Sequence, residues 1–243
     1  MKKIILLSLL CFIAFSVAIG QSDDSKQAPR VYRPDIPGSF KFDWGFQIPI
    51  NEPTNFSTRF FPTNAFNIYY QYPVRIGKSN FSFNPGAGIS FERYSFDNHV
   101  VLSRVGQRYE LVAGSTLFNG IQKTTLSTRY IDIPLEFRFD TKPEDVANSF
   151  NFALGGRLGF LIDSMMKVKY QETYSDGSIE KITNKDKQAF GLQTFRYGAY
   201  ARVGIGAFNL FCFYNLSPLF QPNKGPEKTT MTTLTTGISI NGF

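Results

Sequence analysis

The sequence has few of the residues on which enzymes and metal sites most often depend. Its 243 residues include two cysteines and one histidine. Removal of an N-terminal signal takes away Cys11 and leaves Cys212 alone, which excludes an intramolecular disulfide. The single histidine, His99, has no pattern around it that brings a nucleophile such as Ser103 or Ser115 within its reach. We therefore predict that the protein is not an enzyme and has no metal site and no cofactor.

Long hydrophobic runs and runs of one charge are also missing. After residue 20 no apolar stretch approaches the about 18–20 residues of a membrane helix. The net charge of +7 is spread along the chain rather than gathered into a lysine- or arginine-rich segment. These two absences argue against helical membrane spans and against a nucleic-acid partner.

The first part of the chain has the three sections of a secretory signal. Lys2 and Lys3 precede an apolar stretch, and Ala18-Ile19-Gly20 offers a small-x-small cleavage site. We predict a signal peptide over 1–20, cleaved near Gly20. The polar, proline-containing segment 21–38 has no periodicity and is predicted to be a flexible periplasmic segment.

A strict alternation of apolar and polar residues begins at Phe40. From Phe40 to Ile50 every even position is apolar, and the apolar set includes three phenylalanines and Trp44. Alternation with period two predicts a strand with one apolar and one polar face. About 9–11 residues suffice for a tilted strand to cross a bilayer. The segment therefore predicts a transmembrane β-strand.

The same alternation returns seven times. The further segments are 66–76, 81–92, 131–139, 150–162, 195–205, 208–216 and 230–243. The connections between segments alternate between short and long, as in outer-membrane barrels with short periplasmic turns and long external loops. We predict an all-β fold over 39–243, an eight-stranded antiparallel up-and-down transmembrane β-barrel with long external loops.

Two hairpins within the long loops raise the question of a larger barrel. The runs 100–104 and 108–112 are each shorter than the about 9–11 residues of a crossing strand. The runs 167–174 and 178–182 are joined through Asp176-Gly177, a favourable hairpin turn. We predict that both hairpins extend the barrel above the membrane and that the strand count stays at eight.

The polar faces of the strands carry a set of charged residues. These are Lys41, Asp43, Arg75, Glu92, Asp132, Glu136, Arg138, Arg157, Arg196 and Arg202. Buried charges are tolerated when they are paired and hydrogen-bonded, so we predict a lumenal ionic network. Such a network fits a polar plug that holds the barrel in register, and it also fits a path for ions or small solutes.

Several structural motifs resemble one known family. The strand at Tyr130–Leu135, the glycine-rich segments 84–88 and 154–159, and the late segment 214–219 are similar to those of PorT-like outer-membrane β-barrel proteins. The resemblance implies an outer-membrane location in a Gram-negative bacterium. Because PorT belongs to a type IX protein-secretion apparatus, it also implies a role in secretion. No site residue is implied by the resemblance.

The long loops 97–124 and 163–194 are the predicted working parts of the molecule. The first is unusually apolar for an exposed loop, with Val100, Val101 and Leu102 among its residues. These side chains either contact a partner or pack the hairpins together. We predict an interaction protein that contacts membrane lipid and, through these loops, another envelope or secretion protein. The alternative is a narrow channel for small solutes or ions.

Overall fold

The computed structural model describes residues 38–226 and 230–242. The predicted signal peptide and residues 21–37 of the predicted periplasmic segment lie outside these residues. The strands are β1 (Ser39–Ile50), β2 (Asn64–Gln71), β3 (Val74–Arg75), β4 (Phe81–Phe96), β5 (Val100–Val105), β6 (Arg108–Ala113), β7 (Ile121–Asp140), β8 (Phe150–Thr173), β9 (Ile179–Lys187), β10 (Phe195–Ile205), β11 (Phe208–Asn215) and β12 (Thr232–Asn241). Two short 3-10 helices, Gly114–Thr116 and Val146–Asn148, complete the regular structure of these described residues.

Eight of the strands form a closed antiparallel ring. Its order is β1, β2, β4, β7, β8, β10, β11 and β12, and β12 pairs back onto β1 from Lys41 opposite Asn241 to Ile50 opposite Thr232. Every ring strand is paired on both sides, so the ring has no free edge. The predicted eight-stranded barrel is confirmed. Among the described residues, no helix is both long and apolar enough to cross a membrane.

The alternation in the sequence becomes an alternation of exposure around the ring. In β11 every second residue is buried, beginning with Asn209, and the residues between them are exposed. The outward side chains of the ring are mostly apolar and the inward ones mostly polar. In water this arrangement would be unfavourable, but in a bilayer it places apolar side chains against lipid.

β7 and β8 are much longer than a bilayer requires. They have 20 and 24 residues, against about 9–11 for a tilted crossing. Beyond the ring, β8 continues in a hairpin with β9, whose turn contains Gly177 at a φ of +82°, a conformation that glycine adopts readily. β5 and β6 form a separate two-stranded hairpin. Both predicted hairpins therefore extend the external end.

An apolar cluster closes the external end of the barrel. We call it the mouth cluster, and its buried members are Phe56, Tyr94, Phe96, Val100, Val101, Leu102, Leu126, Met166, Val168, Phe190, Leu192, Leu219, Phe220 and Met231. They come from long connections and from the external ends of ring strands. For Val100, Val101 and Leu102 the packing interpretation is therefore correct, since each is at most 7% exposed. Leu117, at 55% exposed, stays on the surface.

Candidate functional site

The centre of the lumen contains a buried group around Asp132. Its carboxylate lies 3.0 Å from an Arg196 guanidinium nitrogen and 3.6 Å from that of Arg157. The hydroxyl of Tyr69 donates to it at 3.1 Å, and the hydroxyl of Ser90 donates as well. Five groups from five strands therefore meet at a point that solvent does not reach, since Asp132 is 0% exposed. Glu92 adds a second carboxylate, paired with Arg196.

A second buried group lies closer to the periplasmic end. Glu136 is 2.9 Å from the Lys41 ammonium nitrogen and 3.2 Å from Nε of Arg202. Arg202 also donates to both oxygens of Asp43, at 2.6 and 2.7 Å, in the two-pronged geometry that makes arginine–carboxylate pairs strong. Its guanidinium further donates to the hydroxyl of Ser239. The four charged groups link β1, β7 and β10 across the lumen.

The remaining predicted network residues behave differently. Arg138 faces inward but pairs with Asp140, at 2.9 to 3.1 Å, near the periplasmic end. The prediction for Arg75 is wrong. Its side chain is 41% exposed and pairs with Glu144 of a periplasmic turn. Pro73 has no amide hydrogen to donate, so β2 ends before it, and Arg75 lies in a two-residue strand outside the ring.

Aromatic residues in the lumen are the part of the site that sequence reasoning missed. The guanidinium of Arg157 lies 3.4 Å from the ring centroid of Phe213, and that of Arg196 lies 3.6 Å from the centroid of Tyr130. Such contacts stabilise a cation by the electrons of the ring face. In the seventh segment, 208–216, the alternation puts Phe211 and Phe213 on the polar face, and the structure places both in the lumen, at 4% and 1% exposed. Their inward parity was the available signal.

Glycines leave the space that the arginine side chains occupy. A Cβ atom added at Gly159 would collide with the carboxylate of Asp132 and the side chain of Arg196. At the neighbouring position Gly156 a Cβ would meet no atom closer than 3.7 Å. Gly156 and the nearby Gly159 thus differ in whether an added methyl group fits.

We expect Gly159→Ala to lower the free energy of unfolding by about 1–3 kcal/mol, the usual cost of forcing an extra carbon into a packed interior. Gly156→Ala is the matched control and should change it by less than about 0.5 kcal/mol. Urea unfolding of the refolded barrel in detergent measures both. Equal losses in the two variants would contradict the tight packing around Asp132.

Side chains that solvent barely reaches occupy the lumen, and Lys41, Asp132 and Glu136 are at most 2% exposed. A cavity of about 10 Å³ lies among Glu92, Tyr130, Arg196 and residues near the mouth. This is close to the smallest volume that holds one water molecule. Above it lies the mouth cluster. The interior of an eight-stranded barrel is just wide enough for side chains to fill, and here they fill it.

A larger cavity lies outside the barrel, between the β5–β6 and β8–β9 hairpins. Its volume is about 540 Å³. We call it the hairpin cleft, and its lining is Val101, Leu102, Ser103, Arg104, Leu117, Phe118, Met166, Val168, Asn184, Lys185, Asp186 and Gln188. Six of the twelve lining residues are apolar and six are polar or charged, so the cleft offers both apolar contact and hydrogen-bonding groups to another molecule.

Within residues 38–226 and 230–242, no three His, Cys, Asp or Glu side chains are placed to share a metal ion. Nε2 of His99 has no hydrogen-bond partner in this part of the chain. The free thiol of Cys212 is on the outer, lipid-facing surface of β11.

The chain matches one protein-family model and is similar to solved structures of other proteins. Residues 19–221 match the family model described as outer membrane protein beta-barrel domain. No curated protein matches the chain. The attachment invasion locus protein Ail of Yersinia pestis, solved with the heparin analogue sucrose octasulfate, is 14% identical with a TM-score of 0.34, covering 84% of this chain and 97% of Ail. A mutant porin of Rh. blastica is 8% identical with a TM-score of 0.21, covering 84% of this chain and 98% of the porin. The range matched by the family model includes seven of the eight ring strands.

Proposed function

Because the chain belongs to the outer membrane protein beta-barrel domain family, we propose that it is a sealed outer-membrane barrel that acts as an interaction protein through its external hairpins. The observation that carries the proposal is the difference in volume between the cavity in the lumen and the hairpin cleft. The lumen has a cavity of about 10 Å³, whereas the hairpin cleft outside it has about 540 Å³. Of these two cavities, only the one outside the barrel has room for a binding partner.

The build of the two hairpins supports the proposal. Val101, Leu102 and Val168 anchor them in the mouth cluster, so the cleft between them is held by packed side chains. Arg104 and Asp186 give the cleft charged groups of both signs. A cleft that is held by packed side chains and offers both apolar and polar groups suits a segment of another protein.

The proposed setting is the outer membrane of a Gram-negative bacterium, reached after cleavage near Gly20. There the barrel is an accessory of an envelope complex, with a type IX-like secretion machine as the example supplied by the PorT-like resemblance. The proposal includes no enzymatic step. In support, the imidazole Nε2 of His99 has neither an acid nor a hydroxyl as a hydrogen-bond partner among the described residues.

Site-specific crosslinking tests the proposed role of the cleft. A photo-crosslinking residue placed at Leu117, on the cleft wall, should form an adduct in intact cells, whereas one at Ile179, on the exposed β9, should not. Ser103→Trp fills the cleft and should abolish the adduct. Ser178→Trp, in the turn of the other hairpin, is the matched control and should preserve it. Adducts at both positions alike, or an adduct that survives Ser103→Trp, would overturn the proposal.

A further inference from the structure

We call the band of outward apolar side chains on the ring strands the apolar belt. On the external side of this belt, the outer surface of the strands is strongly basic. On β9 the outward positions include Lys181, Lys185 and Lys187, whereas Glu180 and Asp186 have the opposite parity. The contact of Lys187 with the outward Asp163 of β8, at 3.8 Å, identifies the outward row. The positively charged side chains of this part of the molecule therefore lie on its outer face.

The pairing register brings several of these cations side by side. Lys167 of β8 lies between Thr125 of β7 and Lys185 of β9, and Lys169 lies opposite Lys123. On the other side of Thr125, Ser95 of β4 accepts a backbone hydrogen bond from Arg59 at 2.9 Å. We call the resulting set the basic patch, formed by Arg59, Arg93, Lys123, Lys167, Lys169 and Lys185. At about 4.8 Å per strand it extends across roughly 20 Å of the surface.

Folding alone gives no reason for this arrangement. Like charges directly opposite each other on neighbouring strands destabilise a sheet, and Lys123–Lys169 and Lys167–Lys185 are two such pairs. Among the described residues, no member of the basic patch makes an ion pair. Within the described residues, the charge of the basic patch is therefore left to solvent, counterions or a ligand to balance.

The acidic side chains at the border of the basic patch already have ion-pair or hydrogen-bond partners. Asp163 lies 3.1 Å from Arg129 as well as 3.8 Å from Lys187. Asp97 accepts a hydrogen bond from the hydroxyl of Ser57 at 2.9 Å. The surrounding charge also affects the pKa of two lysines in the basic patch. Partial burial, followed by the surrounding positive charges, lowers the pKa of Lys123 and of Lys167.

The position of the basic patch relative to the apolar belt indicates which part of the membrane it contacts. On β4 the outward residues Ile89 and Phe91 belong to the apolar belt, and Arg93 is the next outward residue. On β7 the belt ends with Ile131, and Lys123 lies farther along the same outward row. The basic patch thus begins next to the apolar belt at Arg93 and extends outward from it to Lys123, on the side where the headgroups of the outer leaflet lie in an outer-membrane barrel.

We propose that the basic patch is a binding site for the phosphate groups of outer-leaflet lipid headgroups, seated beside the barrel with their acyl chains on the apolar belt. Lysine and arginine near an anionic membrane surface are attracted to it, and phosphate is the anion that outer-leaflet headgroups carry. The inference goes beyond the proposed function, because it needs the barrel in the membrane but no protein partner.

The test compares lipid binding by two triple variants. K123Q/K167Q/K169Q removes three charges from the basic patch. K78Q/K142Q/K224Q removes three exposed charges elsewhere and is the matched control. Each refolded barrel is titrated with diphosphorylated lipid A and with its dephosphorylated form in detergent, and bound lipid is counted by native mass spectrometry.

The wild type and the control should prefer the diphosphorylated lipid. The basic-patch variant should bind it about a hundredfold more weakly, since each basic residue near such a surface contributes roughly a fivefold factor. Equal binding of the two lipids by the wild type, or unchanged binding by the basic-patch variant, would overturn the proposal. So would a wild type that binds a soluble sulfated polysaccharide through the same lysines while ignoring the lipid.

Discussion

Replacing Asp132 with alanine should lower the free energy of unfolding by about 3–5 kcal/mol, the cost of breaking a buried ion pair. The carboxylate is shared by Arg157 and Arg196, and both guanidinium groups would keep their charge in a lumen that solvent does not reach. The hydroxyl of Tyr69 would lose its acceptor as well. Unfolding in urea from detergent micelles measures the change.

Glu144→Ala is the control for Asp132→Ala. It also removes a carboxylate from an arginine, but Glu144 and its partner Arg75 are 84% and 41% exposed. An exposed pair contributes at most about 1 kcal/mol, so the control should unfold almost as the wild type does. If the two variants were destabilised equally, the lumenal ion pairs would not be what holds the ring in register.

We expect Leu135→Arg to cost about 2–4 kcal/mol, the penalty for an arginine on the lipid face near the bilayer midplane. Leu135 is on the outer surface of β7, opposite Pro85 of β4 and Gly156 of β8. Its neighbours on the same face are Ile133 and Phe137, both exposed. The measurement is the fraction of protein that refolds into lipid vesicles at increasing urea.

Ile179→Arg is the control for Leu135→Arg. Ile179 is 63% exposed, more than Leu135 at 36%, but it lies on the external hairpin, where water surrounds it. The change there should be within about 0.5 kcal/mol of zero. A larger penalty at Ile179 than at Leu135 would mean that β7 does not face lipid at this position.

The ring could be predicted from the sequence because its cause is local. A strand that separates lipid from a polar lumen must alternate, and the alternation at 40–50 or 131–139 is visible without any partner strand. The turn at Asp176-Gly177 is equally local, since the residues themselves favour it. The number of strands then followed from the lengths of the connections.

The contacts between side chains in the lumen were harder to predict from the sequence, because they depend on which strands face each other across it. Parity placed Asp132 and Arg196 inside but could not show that they meet. Arg75 was misplaced because the alternation continues past Pro73, while the backbone ladder of β2 does not. For Phe211 and Phe213, parity pointed to the lumen but could not show which guanidinium groups their rings contact there.

The mouth cluster and the hairpin cleft could not be predicted from the sequence. Their residues come from connections far apart in the chain, such as Phe56, Leu102, Phe190 and Phe220. Nothing periodic relates these positions. An apolar loop residue has the same appearance in the sequence whether it contacts a partner or a neighbouring loop, so the alternative was settled for Val100, Val101 and Leu102 by packing.

Electrical recording in a planar bilayer is the most direct test of the central claim, that the barrel is sealed and works from its outer surface. The full mature chain, shown to be folded by its faster migration on an unboiled gel, is added to the bilayer and the current is followed at a fixed voltage. We predict no stable current steps, because side chains fill the lumen and the mouth cluster covers it. Reproducible single-channel steps from the wild-type protein would contradict the account.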